Sequence, residues 1–257
     1  MTSPLFSKSP KARVIGTLIF IALAMGWLRA QAQTTSGAVV SGSVTIGHGR
    51  VAAFRVKKGN VWFTEVSGNG KIGQWDARTK QITEYDPVKG ANYYGVVVDK
   101  KDRVFVAGMT KNTLVMWEPK TQAWSNLNPP SNVRRLALDS KDKVWACAYA
   151  NNSIIRVDAN TLQKEEYRLP LKNGNPYAIY VDKEDNVWVE NAVYNSFVMF
   201  DPRTKTFTYF PFPELNAHTP NMEMDSEGTI WFGLGEPSRL TGLKLRGNVA
   251  QRNVASR

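Results

Sequence analysis

The chain has 257 residues, with 33 Lys and Arg against 22 Asp and Glu for a formal net charge of +11, and 42 % of it is hydrophobic. Its one cysteine, Cys147, excludes an intramolecular disulfide, and two histidines without any His-x-x-x-His or Cys-x-x-Cys spacing exclude a zinc site made of those residues alone. The basic residues are scattered rather than run together, which reads as solvated surface and not as a nucleic-acid face.

At the N-terminus, Lys8, Lys11 and Arg13 precede an apolar run over residues 14–28, and Ala30-Gln31-Ala32 supplies a small-x-small cleavage site. This order of features reads as a secretory signal peptide over residues 1–32, followed by a single domain over residues 33–257. An uncleaved anchor is the alternative, although the run is shorter than the ~20 residues of a full span. Residues 1–32 hold four basic side chains and no acid, so the mature domain of 225 residues carries +7. The expectation is a periplasmic or secreted protein with no membrane span after cleavage and no nucleic-acid partner.

From Gly59 to Val249 one pattern recurs five times: GNVWFTEVSGNGKIGQWDARTKQITEY, DRVFVAGMTKNTLVMWEPKTQAWSNL, DKVWACAYANNSIIRVDANTLQKEEY, DNVWVENAVYNSFVMFDPRTKTFTYF and GTIWFGLGEPSRLTGLKLRGNV. Its aromatic anchor falls at Trp62, Phe105, Trp145, Trp188 and Trp231, in steps of 40–43 residues. Short alternating strands at that period, separated by turn residues, predict an all-β fold. The fold is a β-propeller of about five four-stranded repeats, either five-bladed or an incomplete version of a seven-bladed ring.

Within each repeat, an innermost strand ends in an acid (96–99, 136–139, 179–182 and 222–225), and a tight polar turn leads into the aromatic strand. A third strand (71–75, 114–117, 154–157, 197–200) then enters a hairpin marked by acid-x-x-Thr: Asp76 and Thr79, Glu118 and Thr121, Asp158 and Thr161, Asp201 and Thr204. Asp and Thr hydrogen-bond nearby backbone in turns, and Pro119 and Pro202 fit a turn's second position, so these acids are read as structural. The repeated Trp position is read as packing between blades, because aromatic rings contribute chiefly buried area. Cys147, beside Trp145 in an alternating strand, is read as a small packed residue.

In a propeller, loops entering the innermost strands and leaving the second strands share one face, where rigid blades hold side chains in convergent positions. Here the entering loops are 48–50, 92–94, 132–135, 173–177 and 216–221, and the leaving loops are 65–70, 107–112, 148–152, 190–195 and 234–238. This face is rich in Asn, Tyr, Arg and Glu. Tyr94, Arg134, Tyr177, Glu190 and Asn221 are its substrate-binding candidates. Both histidines, His48 and His218, lie in entering loops of the first and last repeats, which become neighbours if five blades close. They are the acid/base candidates, because imidazole titrates near neutral pH. A hard cation held by oxygen ligands leaves little sequence trace and stays open.

VWFTE followed by NGKIGQWDARTKQITEYD resembles the repeats of the virginiamycin B lyase (streptogramin lyase) family, and the likeness extends over nearly all of the mature chain. The resemblance implies a seven-bladed propeller and Mg²⁺-assisted elimination that opens a cyclic ester, with a His as base and another His and a Glu nearby. It assigns His218 and His48 as catalytic, with Mg²⁺ at the funnel and Glu190 and Glu65 as its candidate ligands. The family's Glu two residues before a catalytic His has no counterpart, since Ile46 precedes His48 and Asn216 precedes His218 at that spacing; Glu214, Glu190 or Glu65 would substitute. The expected partner is a small cyclic ester or lactone met by a closed monomer. The alternative is a non-catalytic propeller that presents its loop face to an envelope protein or a glycan. A calcium-dependent lactonase of the gluconolactonase type is a third reading without a local signature.

Overall fold

The computed structural model describes residues 50–66, 70–212, 218–234 and 239–245, all within one unit, His48–Arg257. The segment read as a signal peptide, and His48, lie outside the described residues. Each repeat folds as one antiparallel sheet, because its period-two runs of Val, Ile, Phe and Trp are interrupted by polar turns.

Blade 1 comprises β1 (Arg50–Lys57), β2 (Asn60–Val66), β3 (Ile72–Trp75) and β4 (Ile82–Tyr85); blade 2 comprises β5 (Tyr93–Val98), β6 (Val104–Gly108), β7 (Thr113–Glu118) and β8 (Ala123–Asn126). Blade 3 is built from β9 (Val133–Leu138), β10 (Lys143–Ala148), β11 (Ser153–Asp158) and β12 (Lys164–Arg168), with a 3₁₀ turn at Tyr149–Asn151. Blade 4 is built from β13 (Pro176–Val181), β14 (Val187–Asn191), β15 (Ser196–Asp201) and β16 (Thr206–Pro211), and β17 (Met222–Met224), β18 (Thr229–Leu234) and β19 (Arg239–Lys244) form the fifth sheet, three-stranded among the described residues.

All five innermost strands line one central channel with a cavity of about 210 Å³, to which Arg55 (β1), Val97 (β5), Leu136 (β9), Ile179 (β13) and Glu223 (β17) each contribute. The architecture is therefore a propeller with five described blades, as the repeat period predicts. Its apolar cores lie between blades rather than within them. Trp62 packs with Val96 and Val104 of blade 2, Trp145 with Val187 and Phe200 of blade 4, and Trp188 with Ile230 and Phe232 of blade 5. Trp62, Trp145 and Trp188 are buried, as expected of the anchor position, but Trp231 is 42 % exposed. The packing reading is corrected there: each of the other three is covered by the following blade, whereas no further blade follows that of Trp231 among the described residues.

The acid that ends the innermost strand does more than mark a turn. In blades 3, 4 and 5 one carboxylate oxygen accepts two backbone amides, from residues two and four positions on, as Asp182 does from Glu184 and Asn186. The other oxygen accepts the anchor's indole N–H six residues on: Asp139 from Trp145 at 3.1 Å, Asp182 from Trp188 at 2.8 Å and Asp225 from Trp231 at 2.8 Å. Where the anchor is Phe105, whose ring has no N–H, Asp99 pairs instead with Arg103 at 2.6 Å, a buried ion pair. The acid-x-x-Thr hairpins form as expected, with Asp76, Glu118, Asp158 and Asp201 accepting the backbone N–H two residues on.

One irregularity shapes the face that carries the candidate site. In β5, β9 and β13 two residues stand opposite one on the second strand: Tyr94 and Gly95 against Ala107, Arg134 and Arg135 against Cys147, Tyr177 and Ala178 against Glu190. Such bulges break the strict alternation and re-aim side chains. Blade 2 approaches blade 3 so closely here that a Cβ on Gly95 would stand 2.6 Å from the Arg134 carbonyl oxygen.

Candidate functional site

The bulged residues meet at one mouth of the channel. The Tyr177 hydroxyl donates to the Tyr94 hydroxyl at 2.9 Å, and Arg135 Nη2 donates to the same Tyr94 oxygen at 3.1 Å. Arg135 Nε reaches the Pro220 carbonyl oxygen at 3.2 Å, so blades 2, 3 and 4 are tied to the loop entering blade 5. Arg135 stacks on the Tyr94 ring, 4.2 Å from its centroid, and Arg134 lies over Tyr149 at 4.5 Å and beside Tyr177 at 5.9 Å. The edge of Tyr177 in turn meets the His218 ring, with centroids 5.0 Å apart.

His218 is held by Glu190, whose Oε1 lies 2.7 Å from Nδ1 and also accepts the Thr219 amide at 2.8 Å. The strand pattern explains how a residue on β14 reaches that loop. The side chain two positions after Trp62, Trp145 and Trp188 faces the next blade: Thr64 Oγ1 donates to the Tyr94 carbonyl at 2.5 Å, Cys147 Sγ approaches the Ala178 carbonyl at 3.7 Å, and Glu190 accepts the Thr219 amide. Cys147 is fully buried there, as expected of a packed residue, and burial pushes its thiol pKa up.

Glu190 is fully buried while 49 % of the His218 side chain is exposed, so the carboxylate fixes the ring from beneath and leaves it open to the mouth. With Nδ1–H donated to Glu190, the lone pair of Nε2 is available as a base. The Glu190 hydrogen bond raises the His218 pKa above its ordinary 6.5, against the opposing effect of burial. Burial and the Tyr94 hydrogen bond raise the Tyr177 phenol pKa far above its usual 10, so its hydroxyl is a donor at neutral pH.

Of the sequence-read candidates, Tyr94, Arg134, Tyr177, Glu190 and His218 converge. Asn221 does not join them through its side chain: it is exposed, and its carbonyl oxygen accepts from Thr219 Oγ1 at 2.7 Å. Glu65 lies apart on blade 1. It is fully buried, neither of its oxygens has a hydrogen-bond partner among the described residues, and burial raises its pKa to about 7. The two carboxylates read as metal ligands are thus on different blades, and the described residues contain no group of three or more His, Cys, Asp or Glu that could hold a metal. Glu190 Oε2, buried and without a partner among the described residues, is the oxygen there that suits a cation. Arg135, Tyr149 and Thr219 were not singled out from the sequence. The adjacent Arg134-Arg135 pair was the available signal for the first, whereas nothing local marked the others.

The chain matches no protein-family model, and no curated protein sequence matches it. Among solved structures it is similar to selenomethionine-substituted virginiamycin B lyase from Staphylococcus aureus, with a TM-score of 0.70 and 19 % identity over 83 % of this chain and 76 % of that one. The catalytically inactive histidine-to-alanine form of that lyase, with quinupristin, is similar at a TM-score of 0.70 and 19 % identity, over 82 % and 75 % of the two chains. The extracellular domain of a proposed one component system from Bacteroides thetaiotaomicron follows at 0.64 and 14 %, covering 84 % of this chain and 29 % of that one. At these identities the likeness is one of fold, and at that level it bears out the resemblance read from the repeats. No described helix is long and apolar enough to cross a membrane.

Proposed function

We propose that this chain is an exported, streptogramin-lyase-like propeller that opens a cyclic ester or lactone by elimination, with His218 as the base. The observation that carries the reading is the pairing of a half-exposed histidine with the fully buried Glu190 at the mouth of the channel. Glu190 sets the tautomer and the ring orientation, as a carboxylate partner does for a general base. In the lyase of similar fold, a histidine-to-alanine form is catalytically inactive. The basic, apolar and small-residue order of residues 1–32, together with the extracellular domain among the fold neighbours, supports export. A bound Mg²⁺ would polarise the ester beside Glu190 Oε2; His48, outside the described residues, is the second acid/base candidate.

The test is incubation of the purified protein with a type B streptogramin, with Mg²⁺ or with chelator, followed by liquid chromatography and mass spectrometry. A retention shift at unchanged mass that needs Mg²⁺ supports elimination, and loss of that shift in His218→Ala supports the base. Gain of one water points to hydrolysis. Intact substrate turns the reading to the second one, a rim for an envelope protein or a glycan, which is favoured by the exposed Val193 and Tyr194 on the loop leaving β14. The protein is expected to be a monomer, and light scattering that shows an obligate dimer would contradict this.

A further inference from the structure

Arg134 differs from the arginines of this chain that are held in ion pairs. Arg103, Arg156 and Arg203 each pair with a carboxylate, on Asp99, Glu165 and Asp201. Arg134 has no carboxylate partner among the described residues. Its one hydrogen bond there is a long contact of 3.3 Å from Nη1 to the Met109 carbonyl oxygen, and its Nε is buried without a partner. The β9 bulge aims it at the mouth, and stacking over Tyr149 and beside Tyr177 fixes the plane of its guanidinium. A planar, weakly hydrated fork held between aromatic rings is suited to a carboxylate, which it can take through two parallel hydrogen bonds. Tyr177 neighbours both groups, its ring centroid lying 5.9 Å from the Arg134 guanidinium carbon and 5.0 Å from the His218 ring centroid.

We propose that Arg134 forms a carboxylate subsite, which receives the acid group set free when the ring ester opens. This rests on the ring-opening reading above. In that elimination His218 Nε2 takes a proton from the carbon next to a carbonyl, and the C–H electron pair becomes a C=C bond. The alkyl C–O bond of the ester breaks, and its electron pair leaves on the carboxylate oxygen. Atoms and charge balance: the substrate is isomerised to an unsaturated acid, and the imidazolium returns its proton to solvent. Negative charge grows on the departing carboxylate in the transition state, where a preorganised guanidinium is most effective. The neighbouring Arg135 does not fill this role, since its donors tie Tyr94 and Pro220 together.

The experiment is a ligand-observed NMR titration of the purified protein with benzoate and with its neutral isostere benzamide. Benzoate is expected to bind at least about tenfold more tightly, the difference of a charge-assisted fork. Arg134→Gln should bring benzoate down to the level of benzamide, and Arg134→Lys should fall between, because a point charge does not reproduce the stacked fork. Unchanged circular dichroism certifies the fold of each variant; if Arg134→Gln does not fold, the wild-type benzoate-to-benzamide ratio and Arg134→Lys decide. Equal binding of the two probes, no binding of benzoate, or unchanged binding of benzoate by the variants overturns the subsite, whatever the turnover of a cyclic ester. Binding through Arg134 without any ring opening keeps the carboxylate subsite and removes the lyase reading.

Discussion

Glu190 Oε1 lies 2.7 Å from His218 Nδ1 across the seam between blades 4 and 5. Because this partner raises the His218 pKa above 6.5, a reaction that uses His218 as base rises as pH climbs through that elevated value. Glu190→Gln should move the alkaline-going limb down toward 6.5 and lower the plateau, while His218→Ala should cost about 100-fold or more in rate. The pair's stabilising contribution has the opposite sense. It is fully present below pH 6.5 and fades as pH rises through the folded-state pKa, so urea unfolding should show His218→Ala more damaging at pH 5.5 than at pH 9.

The repeated acid before each tryptophan predicts unequal costs at equivalent positions. Asp182→Ala strands the indole N–H of Trp188, which is 2 % exposed, and two turn amides, and should destabilise by roughly 2–4 kcal/mol. Asp225→Ala also frees two turn amides but leaves a Trp231 that water can reach, and should cost clearly less than Asp182→Ala. Urea titrations of the two variants read the difference directly; equal costs would mean that the exposure of the ring is irrelevant.

Gly95 is required by the approach of two blades. An added Cβ would meet backbone, 2.6 Å from Arg134 O and 3.1 Å from Arg135 Cα, and backbone cannot rotate aside. Gly95→Ala should cost about 1–3 kcal/mol in chemical denaturation and loosen the mouth, with weaker benzoate binding as a second readout.

Glu65 carries a different pH signature. Its folded-state pKa of about 7 exceeds the ordinary 4.5, so its contribution is fully present below pH 4.5 and is lost as pH rises to about 7. Across that window the loss is on the order of 3 kcal/mol. Glu65→Gln should therefore raise the melting temperature at pH 8 and leave it nearly unchanged at pH 4.5; equal effects at both values would place the carboxylate in contact with a compensating charge.

Repeat period, strand pattern and turn chemistry were legible along the chain because each rests on neighbours a few residues apart. Asp182 reaches its amides at two and four residues and its tryptophan at six, so the motif is local and recurs in the letters. Two histidines in entering loops could likewise be read as site candidates, and His218 does stand at the mouth.

The pairing of Glu190 with His218 was not legible, because 28 residues separate them and only the seam between blades brings them together. The bulges were equally hidden: two residues against one is a property of register between strands, and it aims Tyr94, Arg134 and Tyr177 where alternation would not. The exposure of Trp231, which no further blade covers among the described residues, was hidden as well, since its letter is that of its buried counterparts. By itself, then, the sequence determined a propeller of five repeats, since backbone hydrogen bonding and side-chain alternation are local and periodic. Tertiary structure decided which of the candidate residues meet, since which side chains share the channel mouth depends on packing between blades that no local pattern encodes.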